Sequence, residues 1–345
     1  MHPYNGKRLD LSSALAQHIH GQPAAIETIL PWVEMYLAGL APAGRPAGIF
    51  LLLGPTGTGK TRTAEALAHE LHGSEKCLLR IDCGEFQMEH EVAKLIGAPP
   101  GYLGHRETHP MISQQKLVAA TSEHCGLAIV LFDEIEKAAP SMLRLLLGVM
   151  DKATLHLGDN TTVNFEDSLI LFTSNLGSRE MMGEIRPEFG LPQIPDDPGR
   201  LDRKIERAAL HAVRRFFPPE FVNRIDATVT YRPLTEQSVA RILDQQLDRL
   251  RAHIRNRLGL RAFDLALTTP ARQFLLRRGV SAEFGARELN RTIQRYVAQP
   301  IAALVSGGRV WPDALVEVDW DEKSAALTHT PLAPGRGKRT AGRAA

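Results

Sequence analysis

The sequence predicts an α/β fold over its first two thirds, a parallel sheet flanked by helices, followed by a smaller, mostly helical C-terminal domain. Three observations support this prediction. Short apolar segments alternate with segments of helical periodicity, a pattern typical of a parallel sheet that is covered on both faces. A glycine-rich segment lies between the first apolar run and the helical pattern that follows it. The alternation ends near Pro233, where helical periodicity becomes dominant.

The apolar and helical patterns place the elements along the chain. Five apolar runs are predicted to be strands of the sheet, at residues 49–53, 78–82, 127–133, 169–173 and 227–231. The segments between them are predicted to be helices, at residues 61–71, 89–96, 113–123, 141–151 and 201–217. Further on, the pattern predicts three helices and a final strand, at residues 236–258, 270–278, 288–305 and 314–318. We therefore predict a large domain (1–232), a small domain (233–327) and a disordered basic tail (328–345) that is rich in proline, glycine, arginine and alanine.

Composition and charge exclude several classes of protein. The chain has 345 residues, of which 43% are hydrophobic and 23% are charged, as in globular proteins. The net charge of +2 gives no overall footprint for nucleic acid or an acidic membrane. The apolar runs are far shorter than the ~20 residues that span a bilayer, and the N-terminus lacks a signal-peptide pattern. The three cysteines cannot all pair and are expected to be reduced, so we expect a cytoplasmic protein that does not bind a membrane.

The segment GPTGTGKT lies between the first predicted strand and the first helix, which is the context of a phosphate-binding loop. Glycines let the backbone curl with its N–H groups pointing inward, and the following helix N-terminus adds positive potential. The lysine can reach the β- and γ-phosphates of ATP, and the last threonine can ligate Mg²⁺. The alternative is a chance match in an ordinary turn, and the length and context of the match argue against it. The predicted nucleotide-binding residues are Gly54, Pro55, Thr56, Gly57, Thr58, Gly59, Lys60 and Thr61.

A second motif, LAIVLFDEIEKA, is an apolar strand that ends in two acids. Asp133 at the strand end can hold Mg²⁺, and Glu134 can orient and polarise an attacking water. Two solvent-facing acids at a strand end are the alternative, which the upstream phosphate loop makes the weaker one. Asn175 ends another apolar run, where its amide could bond the γ-phosphate or the water, although asparagine is also common in turns.

Seven segments in this order resemble the Clp protein-unfolding ATPases of the AAA+ superfamily, most closely their second ATPase ring. The segments are GPTGTGKT, RIDCGEF, LIGAPPGYLG, LFDEIEKA, FEDSLILFTSNLGS, FPPEFVNRID and GARELNRTIQR. The resemblance runs over about residues 9–318. It implies a P-loop NTPase AAA+ domain followed by a small helical lid, and a single-ring protein, since that family carries its other domains before this region.

The resemblance also implies roles for single residues. Asn175 matches the sensor-1 residue, Arg224 the arginine finger that reaches the neighbouring subunit's nucleotide, and Arg287 the sensor-2 arginine of the small domain. A guanidinium can neutralise charge on the transferring phosphoryl group. Without the resemblance, each arginine would be interpreted as a surface salt bridge. The segment Ile19-His20-Gly21-Gln22 matches the one that covers the adenine, with His20 where the family usually has an aliphatic residue, and Ile19 and His20 are the residues predicted to contact the base. The family further implies a hexameric ring, because the site is complete only between subunits.

Two loops bear on the substrate. Tyr102, in GYLG, matches a tyrosine that lines the central pore and grips unfolded or tagged protein in the resembling family, and its broad apolar face suits such contacts. The residues that follow, 105–110, depart from the family pattern, as does the second pore segment around 151–164. Phe189-Gly190-Leu191 lies where peptidase-linked members carry a docking tripeptide, with Phe189 in place of the usual aliphatic residue, and an ordinary loop anchored by one apolar side chain is the favoured interpretation.

These observations predict an ATPase that remodels or unfolds proteins by pulling polypeptide through a ring. One alternative is an AAA+ motor or loader that acts on nucleic acid or on one dedicated protein complex. A nucleic-acid motor needs a basic, aromatic-interleaved pore, and the segment after Tyr102 offers only His105, Arg106 and His109, so nucleic acid is not expected. A non-hydrolysing scaffold is disfavoured, because every predicted catalytic position carries the required residue type.

Overall fold

The computed structural model describes residues 11–97, 110–185, 198–279, 285–321, 324 and 326–333. The chain divides into two compact units, Met1–Arg232 and Pro233–Ala345. Within the described residues, the five strands predicted for the sheet of the first unit are all present, in the predicted order along the chain.

The first unit contains a five-stranded parallel sheet with the strand order β2-β3-β6-β1-β7. An antiparallel hairpin of two three-residue strands, β4 and β5, lies between β3 and β6 in the chain. The strands of this unit are β1 (Gly48–Leu53), β2 (Leu79–Asp82), β3 (Ala128–Asp133), β4 (Thr154–His156), β5 (Thr162–Asn164), β6 (Ser168–Ser174) and β7 (Ala227–Thr230). The order places β1, the strand before the glycine-rich loop, in the interior of the sheet.

Helices lie between the strands of the first unit. Their starts follow local sequence signals: α5 is capped by Ser113, whose side chain accepts a hydrogen bond from the Lys116 amide, and α6 begins at Pro140. The helices are α1 (Leu11–His18), α2 (Pro23–Leu37), α3 (Lys60–His72), α4 (Val92–Ile96), α5 (Gln114–Ala119), α6 (Pro140–Lys152), α7 (Ser178–Ile185), α8 (Pro198–Phe216) and α9 (Pro219–Val222).

Both faces of the sheet are buried. Along β1, Ile49, Leu51 and Leu53 belong to one apolar cluster, whereas Phe50 and Leu52 belong to the cluster on the opposite face. Successive strand residues point to opposite faces, so a run that is apolar at every position requires a cover on each side. The predicted class, a parallel sheet flanked by helices, is confirmed.

The second unit combines helices with a small three-stranded sheet of order β10-β9-β8. Its elements are α10 (Glu236–Leu258), β8 (Asp264–Leu267), α11 (Thr269–Gly279), α12 (Ala286–Ile293), α13 (Gln299–Ser306), β9 (Leu315–Asp321) and β10 (Ala326–Leu332). A π-helical turn, Gln294–Ala298, joins α12 to α13. Pro300 has no N–H and therefore cannot donate a helical hydrogen bond to the Tyr296 carbonyl. That carbonyl lies 2.9 Å from His329 Nε2, which replaces the missing hydrogen bond.

The structure corrects several boundaries. Residues 328–332 belong to β10, which pairs antiparallel with β9, so the predicted disordered tail does not begin at residue 328. Leu327 of this strand packs against the core of the unit, an anchor that the polar sequence around it conceals. The predicted helix at 113–123 ends at Ala119, and Ser122 and Cys125 form a β-bridge instead. The elements not predicted from the sequence are α1, α2, α7, α9, β4, β5, β8 and β10. Among the described residues, no helix combines the length and apolar character needed to cross a membrane.

Candidate active site

The glycine-rich loop connects the end of β1 to the start of α3. Gly54 has φ +144°, and a Cβ there would lie 2.6 Å from the Tyr231 carbonyl oxygen, so the chain can pass only with glycine. The Tyr231 hydroxyl is hydrogen-bonded to Thr63 Oγ1 at 2.6 Å in α3. Gly59, at φ +109°, precedes the helix and turns the backbone into its first residue, Lys60. The loop is thereby fixed at both of its ends.

Lys60 is buried and its ammonium group lies among oxygen atoms of the loop and of β6's end. Its Nζ donates to the Gly54 carbonyl at 2.6 Å, to the Pro55 carbonyl at 2.9 Å and to Asn175 Oδ1 at 2.9 Å. Thr56 Oγ1 approaches the same Asn175 oxygen at 3.4 Å. The phosphate loop and the predicted sensor residue, 115 positions apart in the chain, therefore meet at one point.

Asp133, the last residue of β3, is buried and bonded by three side chains. Thr173 Oγ1 donates to its Oδ1 at 2.5 Å, Arg80 Nη2 donates to its Oδ2 at 2.5 Å, and Thr61 Oγ1 lies 3.4 Å from both oxygens. These partners come from β6, β2 and α3. The carboxylate is therefore held in one orientation, with the Thr61 hydroxyl beside it.

Glu134 follows β3 with φ +56°, a left-handed conformation that is uncommon for a residue with a side chain. Its amide donates to Thr173 Oγ1 at 3.0 Å, and its carboxylate forms an ion pair with Lys137. The hydrogen bond to Glu134 raises the pKa of Lys137. One hydroxyl, that of Thr173, thus bonds both acidic residues of the motif.

The backbone of Asn175 is fixed by a neighbouring acid. Its amide N–H donates to Glu136 Oε1 at 3.0 Å, while its side chain accepts from Lys60. The sequence analysis missed Thr173, Glu136, Lys137 and Arg80. The sequence did offer one signal for Thr173, because this residue is a polar side chain that interrupts the apolar run before Asn175.

The segment predicted to cover the adenine lies at the end of α1. Ile19 is buried in the apolar cluster on one face of the sheet, and His20 is half-buried. Gln22, the last residue of this segment, is also buried: its Nε2 donates to the Thr58 carbonyl at 3.3 Å and to the Arg232 carbonyl at 2.8 Å. Its Oε1 accepts from the Arg232 amide at 3.1 Å. Gln22 therefore joins the phosphate loop to the last residue of the unit.

Of the two predicted arginines, Arg224 belongs to the first unit and Arg287 to the second. Arg224 Nε donates to Asp151 Oδ1 at 2.5 Å, and its Nη1 donates to the Glu220 carbonyl at 2.5 Å. The hydrogen bond to Asp151 raises the pKa of Arg224. Arg287 is exposed in the first turn of α12, in the second unit. Their roles toward the nucleotide stay predictions.

The predicted pore residue Tyr102 and the tripeptide Phe189-Gly190-Leu191 lie outside the described residues. Their roles also stay predictions.

The fold and the constellation of Lys60, Thr61, Asp133, Glu134 and Asn175 are typical of P-loop domains of the AAA+ class. The AAA domain (Cdc48 subfamily) matches residues 45–228, and the C-terminal, D2-small domain of ClpB protein matches residues 234–318. The chain belongs to the AAA domain family, as a Clp-type member with a ClpB D2-small domain. This confirms the predicted family.

Known relatives agree with this assignment. The chain is 38% identical to the chaperone protein ClpB of Aquifex aeolicus over 319 residues, which are 92% of this chain and 30% of that protein. It is also 38% identical to ClpB of Pseudomonas putida, over 92% of this chain and 34% of that protein. The S. cerevisiae Hsp104:casein complex superposes with a TM-score of 0.77 at 28% identity, covering 92% of this chain and 51% of that one. The chain thus spans about a third of the length of these ClpB relatives.

Proposed function

We propose that this chain hydrolyses ATP and uses the energy to unfold or remodel proteins as part of a ring. The observation that carries the proposal is the meeting of Lys60, Asp133 and Asn175 at the carboxyl ends of β1, β3 and β6, with Glu134 beside them. Ligands of parallel α/β sheets bind at this edge. The ClpB and Hsp104 relatives, and the casein bound to Hsp104, support a polypeptide as the substrate.

In the proposed reaction, the loop binds the phosphates of ATP and Lys60 neutralises charge on the β- and γ-phosphates. The Nζ of Lys60 can turn from the Gly54 and Pro55 carbonyls to phosphate oxygens without leaving the loop. The Asn175 amide, which already contacts Lys60, orients the γ-phosphate or the attacking water. Because the donors are held in place before the reaction, little reorganisation is needed when charge develops.

Glu134 is proposed to orient and polarise the attacking water. Its carboxylate pairs with Lys137, so it must release or share this partner before it can accept a hydrogen bond from water. Thr173 holds the Glu134 amide and the Asp133 carboxylate at the same time. The backbone at Glu134 therefore stays fixed while its side chain changes partner.

The residues present also fit a magnesium ion. The Thr61 hydroxyl and the Asp133 carboxylate supply hard oxygen ligands whose oxygens lie 3.4 Å apart. Neighbouring ligands of an octahedral Mg²⁺ with bonds of 2.0–2.1 Å lie about 3 Å apart, so a small adjustment suffices. When bound, Mg²⁺ would neutralise charge on the phosphates. Thr61 and Asp133 are the residues proposed to hold it.

The partner chains are proposed to be copies of this protein in a hexameric ring. Arg224 would reach the nucleotide of the neighbouring subunit, which supplies charge stabilisation that a single chain lacks. To do so it must leave Asp151, its partner on the surface of the first unit. Arg287 is proposed to reach the nucleotide from the small domain. Each arginine would then couple hydrolysis to the arrangement of the units.

The remaining proposals concern the substrate path. Tyr102 is proposed to line the pore and pull unfolded or tagged polypeptide, and Phe189-Gly190-Leu191 is proposed to dock a peptidase. The cytoplasm is the proposed location.

The test is steady-state ATP hydrolysis with and without unfolded casein, on the parent chain, Tyr102→Ala and the control Tyr102→Phe. We expect casein to stimulate hydrolysis at least about twofold in the parent and in Tyr102→Phe, whose aromatic face is kept. Tyr102→Ala should keep the basal rate and lose the stimulation. Hydrolysis that ignores casein in the parent would contradict the substrate class, and salt-dependent stimulation by single-stranded DNA would favour a nucleic-acid motor.

A further inference from the structure

A cluster of two histidines and a glutamate lies between the end of α1 and the last turn of α3. His18 Nε2 and His69 Nδ1 each lie 3.0 Å from Glu70 Oε1, and the three donor atoms lie within 4.8 Å of one another. The two imidazole rings meet edge to face with their centroids 5.1 Å apart. Two nitrogens and one carboxylate oxygen therefore converge on one small volume.

We propose that His18, His69 and Glu70 form a binding site for a divalent transition metal of the Zn²⁺ class, which joins α1 to α3. Two imidazoles and one carboxylate, with a water in the fourth position, are a ligand set that Zn²⁺ uses in proteins. Bonds of about 2.0–2.2 Å place tetrahedral ligand atoms about 3.3 Å apart. Both nitrogen–oxygen distances are near this value already, and the nitrogen–nitrogen distance needs to shorten by at most about 1.5 Å.

Exposure of the cluster suits entry of the metal and of the fourth ligand. The His69 side chain is 43% exposed and can rotate toward the metal, whereas Glu70 is only 12% exposed and is anchored. His18, with 23% exposure, lies between these extremes. A metal can therefore enter from the solvent side and keep one water, while the mostly buried Glu70 carboxylate stays in place as the anionic ligand.

The surrounding charges favour a cation. Arg62 donates from Nη1 to Glu65 at 3.3 Å and to Glu75 at 2.5 Å, so two carboxylates face this one guanidinium. Glu70 adds a third carboxylate. With neutral imidazoles the four charged groups nearby, one guanidinium and three carboxylates, sum to a charge of −2, which a divalent ion would balance.

The protonation state of His18 is compatible with ligation. Arg62 Nη2 lies 3.2 Å from His18 Nδ1 and can only donate, so Nδ1 accepts and the ring proton sits on Nε2, facing Glu70. Burial and the Arg62 charge lower the pKa of His18, which keeps the ring neutral at pH 7. A metal at Nε2 moves that proton to Nδ1 and ends the contact with Arg62, which retains Glu65 and Glu75.

A metal at this site would connect the segment after α1 to helix α3, and this effect is separate from the proposed hydrolysis. His18 directly precedes Ile19, and α3 begins with Lys60 at its other end. A metal between His18 and Glu70 would fasten the entry segment to the helix that carries the phosphate-binding lysine. The metal would act on the rigidity of this region, without taking part in the reaction.

The test is a titration of the full chain, freed of metal with EDTA and kept without nucleotide, with Co²⁺ and then Zn²⁺. We expect one Co²⁺ per chain with the intense visible absorption of a four-coordinate site, displacement by one Zn²⁺, and a higher Tm with Zn²⁺. The oxygen-only pair of Thr61 and Asp133 would give only the weak absorption of six-coordinate Co²⁺ and is thereby distinguished.

Three variants locate the metal. His69→Ala and Glu70→Gln should each weaken Co²⁺ affinity by at least about 100-fold, since even residues that only support a ligand account for 10–100-fold. His156→Ala, which removes an exposed histidine from β4, should leave the affinity unchanged. Tm values in EDTA establish that each variant is folded. The proposal would be overturned if the parent lacked the four-coordinate absorption. It would also be overturned if His69→Ala and Glu70→Gln bound Co²⁺ as tightly as the parent does.

Discussion

Replacement of Thr173 by valine removes one hydroxyl from the centre of the candidate site and keeps the shape of the side chain. Thr173 is 1% exposed, donates to Asp133 Oδ1 at 2.5 Å and accepts from the Glu134 amide at 3.0 Å. A hydrogen bond to a charged group is worth about 1.5–3 kcal/mol, and an unpaired buried N–H costs about 1–3 kcal/mol. The added methyl group offsets about 1 kcal/mol of this loss through apolar burial. We therefore expect Thr173→Val to lower the free energy of unfolding by about 1.5–5 kcal/mol.

The same change should slow hydrolysis, because both acidic residues lose their common anchor. Loss of a residue that orients a ligand or a catalytic group typically costs about 10–100-fold in activity, and we expect this range for kcat. Urea unfolding measures the stability, and single-turnover hydrolysis of ATP measures the chemical step. Nucleotide affinity in EDTA should stay within about threefold, since Lys60 is not affected.

Thr173→Ser is the matched control, because it keeps the hydroxyl and removes only a methyl group. It should hydrolyse ATP within about threefold of the parent rate and lose about 1 kcal/mol of stability. If Thr173→Val hydrolysed ATP within about twofold of the parent while it lost stability, Thr173 would be a structural residue only. The reasoning from its two hydrogen bonds to catalysis would then be refuted.

Two further predictions concern the acid and the arginine finger. Glu134→Gln should retain ATP binding and lose at least about 100-fold in turnover, measured with labelled ATP, and normal hydrolysis would refute its role with water. Arg224→Ala should assemble but hydrolyse about 10³-fold more slowly, whereas Asp151→Asn, which removes only the ionic partner of Arg224, should stay within about threefold. Mixed rings of Glu134→Gln and Arg224→Ala subunits should regain activity, and no recovery at any mixing ratio would count against a role between subunits.

The centre of the sheet was predictable because β1, β3 and β6 are largely apolar and buried at every position. A segment such as residues 128–133 has nowhere to lie except between two covering layers, and this is visible without any tertiary information. Helix α2 was missed because Pro31 lies inside it, and proline normally argues against a continuous helix. The π-helical turn before Pro300 was also out of reach, since it depends on His329, 33 residues after Tyr296.

The part of the candidate site that was predictable consists of residues that belong to recognisable sequence motifs. Lys60, Asp133 and Asn175 each follow from a motif, and the parallel order of β1, β6 and β3 brings them together. The bonds from Thr173 and Glu136 depend on side-chain directions at strand ends, which no pattern in the sequence specifies. The roles of the two arginines remain predictions for a different reason. Arg224 is proposed to act on the nucleotide of a neighbouring chain, and Arg287 belongs to the second unit.

Gln22 gives the phosphate loop a mechanical connection to the exit of the first unit. It holds the Thr58 carbonyl with the same amide that holds Arg232, and Arg232 is the last residue before the chain enters the second unit at Pro233. A Cβ on Gly54 would lie 2.6 Å from the Tyr231 carbonyl oxygen, so Gly54 packs closely against the residue before Arg232. A shift of the loop would therefore act first on residues 231 and 232, where the chain leaves the first unit. The position of the phosphate loop and the path of the outgoing chain are thus tied together by contacts within the first unit.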